Sequence, residues 1–241
     1  MSESPRLSAR TLLIILLLMI VGAAFRLVSL RHEALSGDEL FSRRVVLQPL
    51  PLAYEEVRND LVHPPLYYLS LKAGTAAWGT GATGLRVLSL VFGIATIGLI
   101  ALLGSRLPGS RWSGLLAAAG VAVGRYDVFY SQEARSYAMY TFLVVLLVLW
   151  VDAISKRQRD ARLWLLGLAL MVAILYTHYV GSLYILSAVL ALLVCRLESR
   201  TKILAVVSGA VTVLLFTPWL VAIAGVYKQK HGVGENLDWQ G

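Results

Sequence analysis

The chain has 241 residues, 58% of them hydrophobic and 15% charged, and its mean hydropathy is +0.71. Soluble domains run at about 45–50% apolar and about 25% charged, so a water-soluble globular fold is excluded. Twenty-two Lys and Arg against fourteen Asp and Glu give a formal charge of +8; in a soluble protein that balance points to nucleic acid, but in a chain this apolar it orients the protein in a lipid bilayer and implies no nucleic-acid partner. The single cysteine, Cys195, rules out an intramolecular disulfide and a cysteine-based zinc site.

About 20 apolar residues cross the ~30 Å hydrocarbon core of a bilayer. Runs of that kind recur seven times, over residues 11–30, 85–107, 113–130, 137–154, 163–179, 180–197 and 203–226. The first lacks the small-residue cleavage pattern of a signal peptide and reads as an uncleaved anchor. Residues 31–84 form a long loop after it. Within that loop 63–79 is apolar, but it is short, opens on Pro64 and Pro65, carries Lys72 mid-run and sets Tyr67, Tyr68 and Trp78 near its ends. A lysine at the centre of a span costs about 2.5–3.5 kcal/mol, so this segment reads as an interfacial or partly re-entrant helix.

Seven spans with the N-terminus inside gather eleven basic residues into four short cytoplasmic segments: Arg6, Arg10, Arg106, Arg111, Lys156, Arg157, Arg159, Arg162, Arg196, Arg200 and Lys202. Only four acids accompany them, whereas the outside holds eleven basic and ten acidic residues. An eighth crossing at 63–79 would carry the 156–162 cluster to the outer side, so the positive-inside rule selects seven. The expected fold class is an all-α polytopic membrane protein: one seven-transmembrane-helix module over 1–241, with amphipathic interfacial helices in the outer loop 31–84 and a second outer loop at about 130–137. The small residues from Gly93 to Gly98 and from Ala117 to Gly120 suit close helix packing. No repeat and no nucleotide-binding glycine pattern is present.

The unusual polar residues fall on the outer side in four places. Ser36-Gly37-Asp38-Glu39 follows the first span; adjacent carboxylates there serve as a general base, as metal ligands or as a solvated helix N-terminus, and taken alone the last is the better reading. His63 precedes Pro64-Pro65-Leu66-Tyr67-Tyr68, where prolines set a helix entry and tyrosines suit an aromatic belt. A lone His in that position is more often a cap than a phosphate ligand or proton carrier. Between Tyr126 and Tyr140, a helical reading puts Tyr130, Glu133 and Tyr137 on one face and points Arg135 elsewhere. An interfacial aromatic cluster with an Arg–Glu pair and a functional cluster weigh about equally there. Tyr176-Thr177-His178-Tyr179 closes the fifth span, and His178 either contacts a ligand or satisfies a helix end. Converging at the outer mouth of a bundle, the four places suit an amphiphilic substrate, with Arg135 matched to a phosphate and a carboxylate to an acceptor hydroxyl.

At these residues the sequence resembles the membrane glycosyltransferases of the GT-C superfamily, in the branch of protein O-mannosyltransferases, aminoarabinose transferases and bacterial RgtA/B/C/D-like enzymes. The resemblance rests on the Asp-Glu pair after the first span, His-Pro-Pro-Leu-Tyr-Tyr, Leu85-Arg86-Val87-Leu88-Ser89 opening the second span, Tyr-Ser-Gln-Glu-Ala-Arg-Ser-Tyr, and Thr-His-Tyr after the fifth. It implies a GT-C type module that transfers a sugar, with inversion, from a polyprenyl-phosphate donor to a hydroxyl acceptor at the outer face of the bacterial inner membrane. By position, Asp38 is the implied general base, with Glu39, His63, Glu133, Arg135, Tyr137 and His178 as implied donor- or acceptor-binding residues. A polyprenyl phosphate is a good leaving group, so the enzyme chiefly needs a base, charge stabilisation and orientation, and no nucleotide-diphosphate donor site and no certain cofactor are implied. Whether a divalent metal assists stays open, as do the sugar, the acceptor and the oligomeric state.

Two departures stand out. Where the resembled families commonly have a proline near the outer end of the third span, this chain has Gly124-Arg125-Tyr126-Asp127, and Arg125 either snorkels outward, pairs with Asp127 or adds a phosphate contact. Those relatives also run longer, so C-terminal spans or an outer domain beyond Asp238-Trp239-Gln240-Gly241 are expected to be missing, with the part that selects the acceptor. Two other classes remain: a transporter or flippase of lipid-linked sugars, and a non-catalytic partner subunit. A transporter places ionisable groups at broken helices near mid-membrane; here the centres of spans two, four, six and seven are almost free of charge, with Pro218 the main break, which favours the transferase.

Overall fold

A computed structural model describes residues 8–28, 30, 34–106 and 111–231. Among these residues the protein is all-helical, with eleven helices and no strand: α1 (Ala9–Val28), α2 (Gly37–Leu47), α3 (Leu50–Asp60), α4 (Leu66–Trp78), α5 (Ala82–Arg106), α6 (Arg111–Val123), α7 (Arg125–Ser131), α8 (Tyr137–Lys156), α9 (Ala161–Thr177), α10 (Gly181–Val194) and α11 (Ser199–His231). Of these, α1, α5, α8 and α11 are long and apolar enough to cross a membrane. Three shorter apolar stretches, Trp112–Val123, Ala161–Thr177 and Gly181–Val194, stand where the other spans are expected. Large apolar side chains such as Leu12, Leu116, Leu183 and Leu214 stay exposed, an arrangement unfavourable in water and natural against lipid. The expected residues Arg6 and 238–241 lie outside the described residues.

Helix α5 is the central post, packing against α1, α6, α7 and α8. Small residues permit the approach: a Cβ on Gly104 would run into the backbone of Gly114 on α6, and one on Gly22 of α1 into Ile97 of α5. A second group joins α8, α9 and α11, where the Trp150 and Trp164 rings meet edge to face at 5.6 Å and Trp150 donates to Leu163 O.

The molecule has two chemically different ends. At one, Arg106 pairs with Asp152 and Arg159 with Glu198, while Gln158 Oε1 accepts from Glu198 N–H and the Thr201 hydroxyl. The C-terminal end of α5 and the α8–α9 and α10–α11 connections lie there, with Cys195 at the C-terminal cap of α10. Helices α2 to α4 and the α7–α8 connection sit at the other end, joined to the end of α1 by the Gln132 amide donating to Arg26 O.

Two local expectations change. The run 113–130 is not one helix but two, α6 and α7, broken at Gly124. Arg26 is the cause: fully buried at the end of α1, it donates to Val121 O at 3.0 Å, Ala122 O at 2.9 Å, Gly22 O at 3.0 Å and Ser131 Oγ at 3.0 Å. The carbonyls released by the break therefore find a charged donor. Second, residues 132–136 are irregular, so Tyr130, Glu133 and Tyr137 do not line one helical face. Arg125 is exposed, and the cation beside Asp127 is Arg26.

Candidate active site

Helix α2 begins with a capping box: Glu39 N–H donates to Ser36 Oγ, and Ser36 N–H to Glu39 Oε2. Asp38 and Glu39 sit in its first turn, where negative charge suits the helix dipole, yet they face opposite environments. The Glu39 side chain is 2% exposed and that of Asp38 67%.

Glu39 is fully committed. Its Oε1 accepts from Arg86 Nε at 2.7 Å and Ala134 N–H at 3.0 Å, and its Oε2 from Arg86 Nη2 at 2.7 Å and Ser36 N–H at 3.0 Å. Burial alone would raise its pKa, but these hydrogen bonds outweigh burial and hold it below the usual carboxylate value. Arg86, in turn, reaches Leu30 O and Ala34 O, so one buried fork joins α2, α5, the end of the first span and the α7–α8 connection.

Arg135 is the second centre. Because residues 132–136 leave the helix, its side chain turns inward and is only 7% exposed. Its guanidinium donates to Tyr68 Oη at 3.1 Å and to His63 Nδ1 at 3.3 Å, and lies 3.5 Å from Asp38 Oδ2. Its Nε is buried with no hydrogen-bond partner among the described residues. Burial disfavours the charge, but Tyr68, Asp38 and Tyr137 more than compensate and keep it firmly cationic.

Around it stand two imidazoles. An arginine can only donate, so the contact to Arg135 assigns an acceptor lone pair to His63 Nδ1; Val180 N–H does the same for His178 Nδ1 at 3.2 Å. The two rings lie 5.6 Å apart between centroids, and Tyr137 packs 6.4 Å from His63 and 6.2 Å from His178. His63 is buried rather than a simple helix cap. Glu133 lies nearby, half-buried, and no described residue makes a hydrogen bond or ion pair with its carboxylate; burial, then the charges of Glu39 and Asp38, push its pKa up.

Asp38, His63, Arg135, Tyr137 and His178, drawn from four distant segments, thus form one cluster, with Glu133 at its edge and Glu39 beneath it as a structural tie. The sequence reading paired Arg with Glu within the same loop; the pairs are Arg135 with Asp38 and Arg86 with Glu39. Tyr68 as an Arg135 partner and Arg86 as a Glu39 partner were missed as site residues, although an arginine at the mouth of an apolar span is itself a signal. Among the described residues, no group of three or more His, Cys, Asp or Glu is arranged to hold a metal ion.

An apolar groove of about 680 Å³ runs between α3, α4, α9 and α11, lined by Tyr54, Leu66, Leu69, Tyr176, Pro218 and Trp219. Pro65, two positions from His63, is also among its lining residues.

Residues 62–221 match the family described as dolichyl-phosphate-mannose-protein mannosyltransferase. An uncharacterized protein of Aquifex aeolicus (strain VF5) is 25% identical over 170 residues, which cover 70% of this chain and 34% of that one. The chain therefore spans about a third of the length of the curated relative it matches.

Proposed function

The chain belongs to the dolichyl-phosphate-mannose-protein mannosyltransferase family, and from that premise we propose that it is the GT-C type membrane module of a glycosyltransferase, moving a sugar from a polyprenyl-phosphate donor to a hydroxyl acceptor. The observation that carries the reading is a buried, partly unpartnered cation, Arg135, held 3.5 Å from an accessible carboxylate, Asp38. Leaving-group phosphate and acceptor proton need that juxtaposition. In the proposed step the acceptor oxygen bonds to the anomeric carbon as the bond from that carbon to the phosphate oxygen breaks. The hydroxyl proton passes to Asp38 and the phosphate leaves with the electron pair, its charge met by Arg135 and by the imidazoles of His63 and His178.

The apolar groove that Pro65 helps to line is a path for the lipid tail, and the unsatisfied Arg135 Nε is a donor waiting for an acceptor oxygen. Glu133 and Tyr137 would border the acceptor, and Glu39 would hold Asp38 in place without touching substrate. We further propose seven spans, four long and three short, with the basic end cytoplasmic and the Asp38 cluster at the outer face of the bacterial inner membrane, where α2 to α4 lie along the surface. Acceptor hydroxyls arriving from outside would then meet the base directly.

Glu133 is a second candidate for the base, favoured by its raised pKa and by the solvent exposure of Asp38. Reconstituted full-length chain given a polyprenyl-phosphate sugar and a hydroxyl acceptor tests both. Asp38→Asn should cut transfer by about 10²–10⁴-fold, the range for loss of a general base, with thermal stability unchanged. Wild-type rates in that variant, with loss in Glu133→Gln, would move the base to Glu133. Donor crossing to the opposite leaflet without new linkage would replace the transferase reading with a flippase.

A further inference from the structure

Beside Tyr137, at the same end of the molecule, a small pocket of about 90 Å³ opens between α1, α5, α7 and α8. Tyr126, Asp127, Tyr130, Tyr137 and Thr141 line it, with Arg26 at its floor. A water molecule occupies roughly 30 Å³ of liquid, so the space holds about three hydroxyl-sized groups.

The charges restrict what can enter. The guanidinium of Arg26 spends four of its five N–H donors on Val121 O, Ala122 O, Gly22 O and Ser131 Oγ, so it offers the pocket a positive field and one remaining Nη2–H donor. The carboxylate of Asp127 accepts its own backbone N–H, and no described side chain donates to it, so it keeps acceptor capacity toward the pocket. An anion would meet that carboxylate, a cation would meet Arg26, and a hydrocarbon would strand the carboxylate unsolvated. A neutral ligand rich in hydroxyl donors meets none of these penalties. The aromatic walls extend the argument: Tyr130 and Tyr137 pack 4.8 Å apart with their planes tilted by 55°, and Tyr126 projects with 76% of its surface exposed, offering apolar faces to the C–H side of a sugar ring.

We propose that this pocket is a carbohydrate subsite that receives the hydroxyl edge of one sugar of the acceptor, with Asp127 accepting its hydroxyls and Tyr126 and Tyr130 covering its ring. Tyr137 stands between this pocket and the Asp38–Arg135 pair, so the sugar held here is one removed from the hydroxyl that reacts. The acceptor assignment rests on the transferase reading; the preference for a sugar rests on the pocket alone.

The test uses the full chain in lipid nanodiscs with no donor present. Saturation-transfer NMR should detect saturable binding of methyl α-D-mannopyranoside or methyl β-D-glucopyranoside. Asp127→Asn should weaken it by at least about tenfold, the loss of a hydrogen bond to a charged acceptor, and Tyr126→Ala, at an exposed position that leaves folding intact, should weaken it too. Asp38→Asn should bind the glycoside as wild type does while losing transfer. In the transfer assay, Tyr126→Ala should raise the acceptor KM and leave kcat nearly unchanged. Absence of saturable binding, equal binding of glycerol, or wild-type affinity in both pocket variants would overturn the subsite. Glycoside binding that depends on Asp127 in a protein without transfer would keep the sugar subsite and remove the transferase reading instead.

Discussion

Asp38 and Glu39 are neighbours in sequence with opposite duties. Every lone-pair direction of Glu39 is filled by Arg86, Ala134 and Ser36, so its removal or that of its partner strands a buried charge. Arg86→Met should therefore lower stability by ~3–5 kcal/mol, whereas Arg159→Met, which breaks an exposed pair with Glu198, should cost at most about 1 kcal/mol. Thermal unfolding in one detergent compares the two. Glu133 supplies a pH signature of definite sign. Its pKa is raised in the folded protein, so the folded chain retains a proton that the unfolded chain has lost, and its contribution to stability is complete below the ordinary carboxylate value and fades as pH rises through the raised one. Relative to Glu133→Gln, the wild type should be more stable near pH 4 than near pH 7; a constant difference would show that the carboxyl does not titrate as described. The sequence revealed which residues were unusual here but not their partners. Arg86 and Glu39 are 47 positions apart and Arg135 and His63 are 72 apart, and no local periodicity encodes such pairings.

Elements were legible where hydrophobic length decides the outcome. The apolar runs correspond to α1, α5, α8, α9, α10 and α11, because an all-apolar stretch has few alternatives to a helix once water is absent. The prolines before α4 marked its entry correctly, and Lys72, costly in a span, instead donates to Val46 O at 2.9 Å and Gln48 O at 2.6 Å. The break between α6 and α7 was not legible, because it depends on Arg26, whose contacts with Val121 and Ala122 come from about a hundred residues away. Nor was the inward turn of Arg135, since the tyrosine-rich run around it satisfies a helical spacing that the chain does not adopt. Arg26→Met should leave two buried carbonyls without a donor, at about 1–3 kcal/mol each, and disturb the α6–α7 corner. Gly124→Ala should also destabilise it, because its Cβ would meet Asp127 Oδ2 and Gly120 O at 2.7 Å. Hydrogen exchange should show faster exchange at 121–128 in both variants, with α9 to α11 unaffected.

For the molecule as a whole, the uneven distribution of charge yields a topology that can be checked directly. The native Cys195 is exposed at the basic end, and Val62, 56% exposed, lies at the opposite end. In intact cells a membrane-impermeant maleimide should leave Cys195 unlabelled until the membrane is permeabilised. Val62→Cys in a Cys195→Ser background should label at once, and the reverse pattern would invert the proposed orientation. One feature of the architecture bears on how such a site would work. Helix α2 is pinned at its start by the capping box and the Arg86 fork, and at its finish by the Lys72 ammonium on its terminal carbonyls. A short helix clamped at both tips behaves as a rigid beam. The backbone that carries Asp38 has almost no configurational freedom left to lose on encounter, so ligand recognition should need no reordering of the helix that carries the carboxylate.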